Sequence, residues 1–434
     1  MAAGNFIQAQ KLMKVMVEAG FETRLCGGSI RNQLWSLPVQ DYDLATEASP
    51  EQTKGVLQAS GIRFHLAGEK HGTISALIGG AVYELTTLRQ DLKPDGRHSE
   101  VSYTQNWAAD ASRRDFTVNG LYQDLAGNIY DFVGGLADIK DRRLKFIGDP
   151  TTRIREDYLR ILRFFRFWAQ YEMLTDDSTL ASLACEKAGL GRLSHERVTS
   201  EFRKTLGSRH VADVLAAMDS TGVFALLFGE ALPRDFANLI DHPALGREAY
   251  SPERRFRLRF FLMMCIQNNQ LSLDFPAGAL TEKLRTWRLS AQELNIFVAL
   301  SQSLCHWQEG LPLADLLYEE WANRQGLHQF PLFPELLNPL LRFLVTYPAE
   351  EPLMEAKGLA KAIEVFQEAE MRLGQGACLR GEDLIQELGI APGKELGRLL
   401  QDLQKLYLLG PPQSKEKLLM VAKTMHRQAA VPRD

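Results

Sequence analysis

The run Leu25-Cys26-Gly27-Gly28-Ser29-Ile30-Arg31, followed by Asp41-Tyr42-Asp43, decides how the first part of this chain folds and what it can do. Thr23–Cys26 reads as a short strand and the residues after Gly28 as a helical stretch to Trp35, with Gly27-Gly28 as the turn between them. A glycine pair there lets backbone approach a ligand closely. The helix N-terminus that follows offers free N–H groups and partial positive charge to an anion, and Arg31 stands in its first turn. Residues 42–45 read as a second strand, so Asp41 and Asp43, at i and i+2, project two carboxylates from one face. Paired carboxylates suit Mg²⁺, which takes hard oxygen ligands and shares them with substrate phosphates. Together these parts describe metal-assisted transfer of a nucleotidyl group from a triphosphate.

Working outward, residues 6–19 carry apolar side chains on roughly one helical face. Residues 73–78 and 82–88 flank Gly79-Gly80, a hairpin signal. The first third is thus expected to be a mixed α/β unit with an antiparallel sheet element. Beyond residue 150 the strand signals nearly vanish. Helical patterns run over 153–170, 178–188, 195–206, 210–219, 254–268, 281–301 and 355–373, and 381–429 holds two or three more. Proline-containing breaks at 331–339 and 348–352 mark joints. The fold class expected is α+β, a mixed-sheet head followed by an all-helical remainder.

Two further constellations carry chemistry. The first is Arg113-Arg114-Asp115-Phe116-Thr117-Val118-Asn119, which could also be a surface turn with a local Arg–Asp pair. The second is Arg155-Glu156-Asp157-Tyr158-Leu159-Arg160-Ile161-Leu162-Arg163-Phe164-Phe165-Arg166-Phe167. Read as one helix at about 100° per residue, it gathers Asp157, Arg160 and Arg163 within an arc of about 120°, with Arg166 about 60° beyond. Ile161, Leu162 and Phe165 fall opposite. A solvated salt-bridge face is the ordinary explanation of such a helix. The excess of Arg on this face, close to a triphosphate site, favours nucleotide contact, and Arg forks and carboxylates can hydrogen-bond a base edge.

Composition narrows the function classes. The chain has 434 residues, a net charge of −4 and 24% charged residues, the profile of an ordinary globular protein of several units. The longest apolar run, 260–266, is far too short to span a bilayer, so no membrane partner is expected. Residues 1–10 lack the pattern of a signal peptide and are not Arg-rich, which predicts a cytoplasmic address. The five scattered cysteines form no CxxC pair and read as buried reduced thiols. Positive charge is concentrated locally: at Arg142, Arg143, Lys145, Arg153 and Arg155; at Arg254, Arg255, Arg257 and Arg259; and at Lys394, Lys405, Lys415, Lys417, Lys423 and Arg427. Such clusters can contact nucleic-acid phosphates.

Taken in order, Gly-Gly-x-x-Arg, Asp-x-Asp, Arg-Arg-Asp-Phe-Thr-x-Asn and Glu-Asp-x-x-Arg in a helix ending Arg-Phe resemble the motifs of class II tRNA nucleotidyltransferases, the CCA-adding enzymes of the poly(A) polymerase/tRNA nucleotidyltransferase family. The match is clear over about residues 20–210 and weaker in the tail, where Ala391-Pro392-Gly393-Lys394-Glu395-Leu396-Gly397 is similar to a family segment. One position departs: Asn32 stands where most members have Asp after the Arg. Asn can still hydrogen-bond Arg31, without the charge.

The resemblance implies addition of C, C and A to the 3′ end of tRNA from CTP and ATP, without a nucleic-acid template. It implies a polymerase-β-like nucleotidyltransferase head over 1–148, a helical neck with the nucleotide-selecting helix over 149–215, a helical body over 216–350 and a tRNA-binding tail over 351–434. By it, Asp41 and Asp43 hold catalytic Mg²⁺, Gly28 and Arg31 contact the triphosphate, and Arg114 contacts the sugar or phosphates. Asp157 and Arg160 pair with the base, Arg163 and Arg166 complete the pocket, and the tRNA acceptor end is the partner. Glu84 is a candidate third acidic residue near the metals, or a strand carboxylate paired with Arg89. His71 reads as structural rather than as a base, since metal activation removes the need for one. The polar stretch 91–107, centred on Asp95-Gly96-Arg97, resembles the family's flexible loop at full length, which favours complete CCA addition. The alternatives are a bacterial poly(A) polymerase, a partial CC-adding or A-adding enzyme, and a non-catalytic RNA-binding protein.

Overall fold

The computed structural model of the chain describes residues 2–66, 68–69, 72–91, 101–232, 240–241, 251–264, 266–267, 270–271, 282, 284–291, 293–294, 297, 379, 381–409 and 414–429. The chain divides into two units: one from Met1–Thr205 with Asp213–Ala231, the other from Leu206–Ala212 with Leu232–Asp434.

The first unit opens with helix α1 (Ala2–Glu18), strand β1 (Thr23–Cys26), helix α2 (Gly28–Leu34) and strand β2 (Asp43–Thr46). Helix α3 (Pro50–Ala59) follows, started by a reciprocal capping box between Ser49 and Gln52 with Pro50 in its first turn. Strands β3 (Arg63–His65), β4 (Thr73–Ile78) and β5 (Ala81–Thr87) come next. Gly79 and Gly80 take φ of 60° and 81°, the positive values a two-residue hairpin requires, and Ile78 pairs with Ala81 across the turn. A small ribbon of β6 (Arg89–Asp91) and β7 (Val101–Tyr103) leads to helix α4 (Trp107–Ser112), strands β8 (Leu121–Gln123) and β9 (Ile129–Asp131), and helix α5 (Gly135–Lys140). Seven strands form one sheet in the order β3-β4-β5-β2-β1-β8-β9. Its neighbours are antiparallel except β2 and β5, so the sheet is mixed, as expected from the sequence.

The helical pattern over 153–170 is two helices, not one. Helix α6 (Pro150–Glu156) stops at Asp157, whose φ of −151° and ψ of 106° are extended, and helix α7 (Leu159–Tyr171) restarts beyond it. The break needs no glycine or proline. The Asp157 carboxylate accepts the Leu159 N–H at 3.1 Å and its carbonyl accepts the Arg160 N–H at 3.0 Å. A short acidic side chain thus bonds backbone locally and displaces the helical ladder. Helix α8 (Asp177–Glu186), a 3₁₀ segment (Lys187–Arg192), α9 (His195–Leu206), α10 (Ala212–Ser220) and α11 (Val223–Phe228) follow. Phe116 packs on Phe146 and Phe167 with ring centres 5.0 Å apart in each pair, which fastens the Arg113–Asn119 motif to the apolar side of α7.

In the second unit, helix α12 (Pro252–Met264) ends earlier than its pattern suggests, and Ile266–Gln267 pairs as a short strand with Gln270–Leu271. Two members of its basic cluster are not surface groups. Arg259 is fully buried and donates to the carbonyls of Leu206 (2.8 Å), Arg209 (2.7 Å) and Ile240 (3.1 Å) and to Asp241 (2.8 Å). Arg255 is buried against the Gly207 carbonyl. Neither is open to RNA. Helices α13 (Gly381–Leu388), α14 (Lys394–Leu409) and α15 (Lys415–Ala429) enclose a small core around Leu384, Leu403 and Leu418. The Gly393-Lys394-Glu395 segment opens α14. The joints at 331–339 and 348–352, the 355–373 helix, His71 and the centre of the 91–107 loop lie outside the described residues.

Candidate active site

A cleft of about 850 Å³ in the first unit is lined by Gly28, Arg31, Asp41, Asp43, Arg114, Asp157, Arg160, Arg163 and Arg166, all singled out from the sequence, while the further candidate Glu84 is not part of its lining. Gly27 starts α2 with φ 70° and ψ −125°, a conformation that strains any residue with a Cβ. A Cβ there would also lie 3.2 Å from an Arg114 guanidinium nitrogen. Glycine therefore serves both the turn and the close seat of Arg114.

Asp41 lies just before β2 rather than on it, while Asp43 begins the strand. Both side chains still face the opening, because Tyr42 between them is buried. Parallel pairing of β2 with β5 sets Leu44 opposite Leu85, which brings Glu84 beside Asp43. Burial in the cleft, then Glu84 and Asp41, push the Asp43 carboxyl up to about 6, against the pull of Arg114. Crowded carboxylates of this kind are stabilised by a cation. Among the described residues no group of three or more His, Cys, Asp or Glu side chains gathers to hold a metal alone. The donor set fits a hard divalent ion that completes its shell with water and substrate phosphate oxygens.

Asp110, which the sequence reading passed over, is buried under the Arg-rich motif. It accepts from the Tyr122 hydroxyl at 2.6 Å, Arg113 at 2.8 Å and Arg114 at 3.3 Å. Burial raises its carboxyl, but Arg113 and Arg114 outweigh that and hold it below the usual range. Asp115 pairs not with a local Arg but with Arg163 on α7, at 2.9 Å. It also accepts from the Asn119 amide (2.9 Å) and the Phe116 N–H (2.8 Å). Burial opposes these partners, and together they bring its carboxyl down to about 2. Asn119 in turn accepts from Arg31. The motif is therefore the link between α2 and α7, not a surface turn.

Asp157, Arg160, Arg163 and Arg166 of the α6–α7 stretch face this cleft, whereas Arg155 is exposed and pairs with Glu186 at 2.7 Å. Glu156 pairs with both Arg153 and Arg160, and Arg160 also donates to the Arg153 carbonyl at 2.7 Å. Arg153 is buried and donates to the carbonyls of Arg113 and Arg114, so it is not a free phosphate contact. Arg166 pairs with Glu201 at 2.6 Å, and Asp157 pairs with Arg197 at 2.9 Å. Arg197 and Glu201 lie at i and i+4 on α9, a helix read from the sequence only as apolar periodicity. Asn32 does hydrogen-bond Arg31, at 2.9 and 3.2 Å. Of the cysteines, Cys26 is buried and free as expected, whereas Cys185 is exposed and departs from that expectation.

Comparison with known proteins adds to this geometry. Residues 23–145 match the family model described as the poly A polymerase head domain. The chain is 41% identical over 429 residues to the human mitochondrial CCA tRNA nucleotidyltransferase 1, covering 95% of this chain and 89% of that protein. It is 30% identical to the CCA-adding enzyme of Enterococcus faecalis, over 96% of this chain and 95% of the relative. The chain belongs to the CCA-adding enzymes. The fold of this family member agrees: the Bacillus stearothermophilus CCA-adding enzyme in complex with CTP superposes with a TM-score of 0.63 at 22% identity, over 98% of both chains. The polymerase-β-like head expected of the family is thus present, with a remainder that is mostly helical among the described residues, the short ribbon of Ile266–Gln267 and Gln270–Leu271 apart. No helix among the described residues is long and apolar enough to cross a membrane.

Proposed function

We propose that this chain adds C, C and A to the 3′ end of tRNA, using CTP and ATP. The observation that carries the reading is the convergence of Asp41, Asp43, Arg31, Arg114, Asp157 and Arg163 on one cleft, in a chain whose relatives over nearly its full length bear that name. In the reaction the tRNA 3′-hydroxyl attacks the α-phosphate and pyrophosphate leaves. Asp41 and Asp43 would hold Mg²⁺, which when bound acidifies the attacking hydroxyl and offsets charge on the leaving group. Gly28 and Arg31 seat the triphosphate at the start of α2, and Arg114 meets the sugar or phosphates. Arg163 and Arg166 wall the pocket. Asp157 and Arg160 read the base edge: a carboxylate accepts from the amino group of cytosine or adenine and repels the carbonyl oxygen of uracil or guanine. A wrong base leaves these groups unpaired and is rejected.

The division of labour proposed is a head over 1–148, a neck over 149–215, a body over 216–350 and a tRNA-binding tail over 351–434, where exposed Lys394, Lys415, Lys417 and Lys423 supply positive charge. We place the reaction in the reducing cytoplasm, in keeping with free Cys26 and Cys185. The test is single-turnover extension of a tRNA lacking its CCA end, with CTP and ATP supplied separately and together. Three added nucleotides are expected, none with Asp41→Ala, and altered base choice with Asp157→Ala. A long A ladder, or arrest after two C residues, would replace the reading with a poly(A) polymerase or a CC-adding enzyme.

A further inference from the structure

We infer that Asn32 is a positioning residue for the metal site, its side-chain amide holding in place the loop that carries Asp41. The inference rests on the reading of Asp41 as a metal-holding carboxylate and deepens it.

The sheet does not seat Asp41. Strand β2 pairs with β1 only from Asp43, which stands opposite Cys26. Just after Asp41 the chain is fixed, because Tyr42 is buried and packs on Phe6 with ring centres 5.6 Å apart. Ahead of Asp41 the chain leaves α2 at Leu34 and turns through Ser36, whose φ of 55° is left-handed. Asn32 ties this turn back to the helix twice. Its carbonyl accepts the Leu37 N–H at 2.8 Å, and its side-chain Nδ2 donates to the Pro38 carbonyl at 3.1 Å. From Pro38 the chain runs through Val39 and Gln40 to Asp41, all four lining the cleft.

The other end of the same amide serves the anion seat. Oδ1 accepts Arg31 Nη2 at 2.9 Å and Nε at 3.2 Å. One planar group thus meets a cation with its oxygen and a carbonyl with its nitrogen, which settles which way round it sits. An aspartate at this position would keep the bonds to Arg31. It has no N–H for Pro38, however, and would set oxygen against oxygen there. Asn32 is half-buried and Pro38 exposed, so their bond adds little to the stability of the fold. What it fixes is where the loop stands. Divalent ions of the Mg²⁺ kind demand near-octahedral oxygen geometry, so a carboxylate on a loop free to drift at Pro38 holds them less well.

The experiment titrates Mn²⁺, which takes the same octahedral oxygen shell, into the full chain without nucleotide and reads the bound ion by electron paramagnetic resonance. Asn32→Ala is expected to weaken binding roughly three- to tenfold, the effect of one lost hydrogen bond. It should fold and melt like the intact chain, since Ala is the better helix former. Tyr171→Phe, which removes a partner of Arg31 and leaves Pro38 alone, should bind Mn²⁺ as the intact chain does. In the Asp41→Ala background, Asn32→Ala should cost nothing further. If Asn32→Ala binds Mn²⁺ as tightly as the intact chain, or its loss persists beside Asp41→Ala, Asn32 does not act through Asp41 and the inference fails. If Tyr171→Phe weakens Mn²⁺ as much as Asn32→Ala, the effect runs through Arg31 and the inference fails as well. Either failure leaves the metal-holding role of Asp41 standing. If instead Asp41→Ala binds Mn²⁺ undiminished, that role falls, and the inference with it.

Discussion

The Arg31 guanidinium donates to the Tyr171 hydroxyl at 2.5 Å and lies 4.3 Å from the centre of its ring, although 140 residues separate the two in sequence. Its other hydrogen-bond partners, Asn32 and Asn119, are neutral as well. Burial pulls its pKa down, and Arg166 and Arg163 add repulsion against the help of Asp115. A buried cation held by neutral groups is a seat for an anion. Tyr171→Phe keeps the ring and removes the acceptor, so KM for CTP and ATP should rise together, roughly three- to tenfold for one lost hydrogen bond. Asn32→Asp should raise both in the same way by giving Arg31 a competing carboxylate. Steady-state kinetics with each nucleotide checks this, and a change for one nucleotide alone would remove Arg31 from the shared triphosphate.

The crowding of Asp43 by Glu84 and Asp41 predicts strict dependence on a divalent ion. A chelator should abolish extension and added Mg²⁺ restore it. Asp41→Ala and Asp43→Ala should each lower kcat by roughly a thousandfold or more, in the range of lost transition-state charge stabilisation. Mg²⁺ with CTP should raise the melting temperature of the intact protein and leave that of Asp43→Ala nearly unchanged. An equal rise in both would place the ion elsewhere.

Asp115 gives a pH-dependent stability with a definite sign. Its carboxyl sits at about 2 in the fold against an ordinary value of 3.8. A depressed carboxylate contributes stability that is fully present above the unfolded value and is lost as pH falls through the folded one. The window is therefore between about pH 4 and pH 2, and the contribution above it is about 2 kcal/mol. Urea unfolding of Asp115→Asn beside the intact chain should show that deficit at pH 6 and a shrinking difference on acidification. A difference independent of pH would mean the loss is packing and not charge.

Local signals made much of this site legible and left its bracing hidden. Gly27-Gly28 and Asp41-Tyr42-Asp43 could be read because glycine turns and strand alternation act within a few residues. Asp157–Arg197 and Asp115–Arg163 could not, since the partners stand 40 and 48 positions apart and nothing in either segment marks the other. Asp110 is a different case: Arg113 and Arg114 follow it by only three and four residues, a spacing visible in the sequence, and Tyr122 joins them once α4 and β8 are in place. The break at Asp157 escaped because apolar periodicity continues across it; the backbone bonds of one carboxylate outweigh a pattern that sees no glycine or proline. Arg255 and Arg259 misled in the opposite direction, because a run of Arg looks alike whether it meets phosphates or buried carbonyls.

Gly189 offers a remote test of how tightly Asp157, the proposed base reader, is held. A Cβ at this position would fall 1.9 Å from Cδ1 of Tyr158, the residue that directly follows Asp157. Real Cβ atoms do not approach so closely, so Gly189→Ala must swing the Tyr158 ring or push the 3₁₀ segment away from α7. Overpacking of this kind costs about 1–3 kcal/mol, and any shift at Tyr158 moves the Asp157 carboxylate against its tethers to Leu159 and Arg197. Gly189→Ala should therefore lower the urea midpoint and also raise UTP incorporation relative to CTP. Gly191→Ala, in the same segment with nothing within 4 Å of its Cβ, should do neither. If Gly189→Ala loses stability yet keeps full discrimination, Asp157 is held by its tethers firmly enough to ignore its neighbour, and the proposed seat of base selection is stiffer than the break between α6 and α7 suggests.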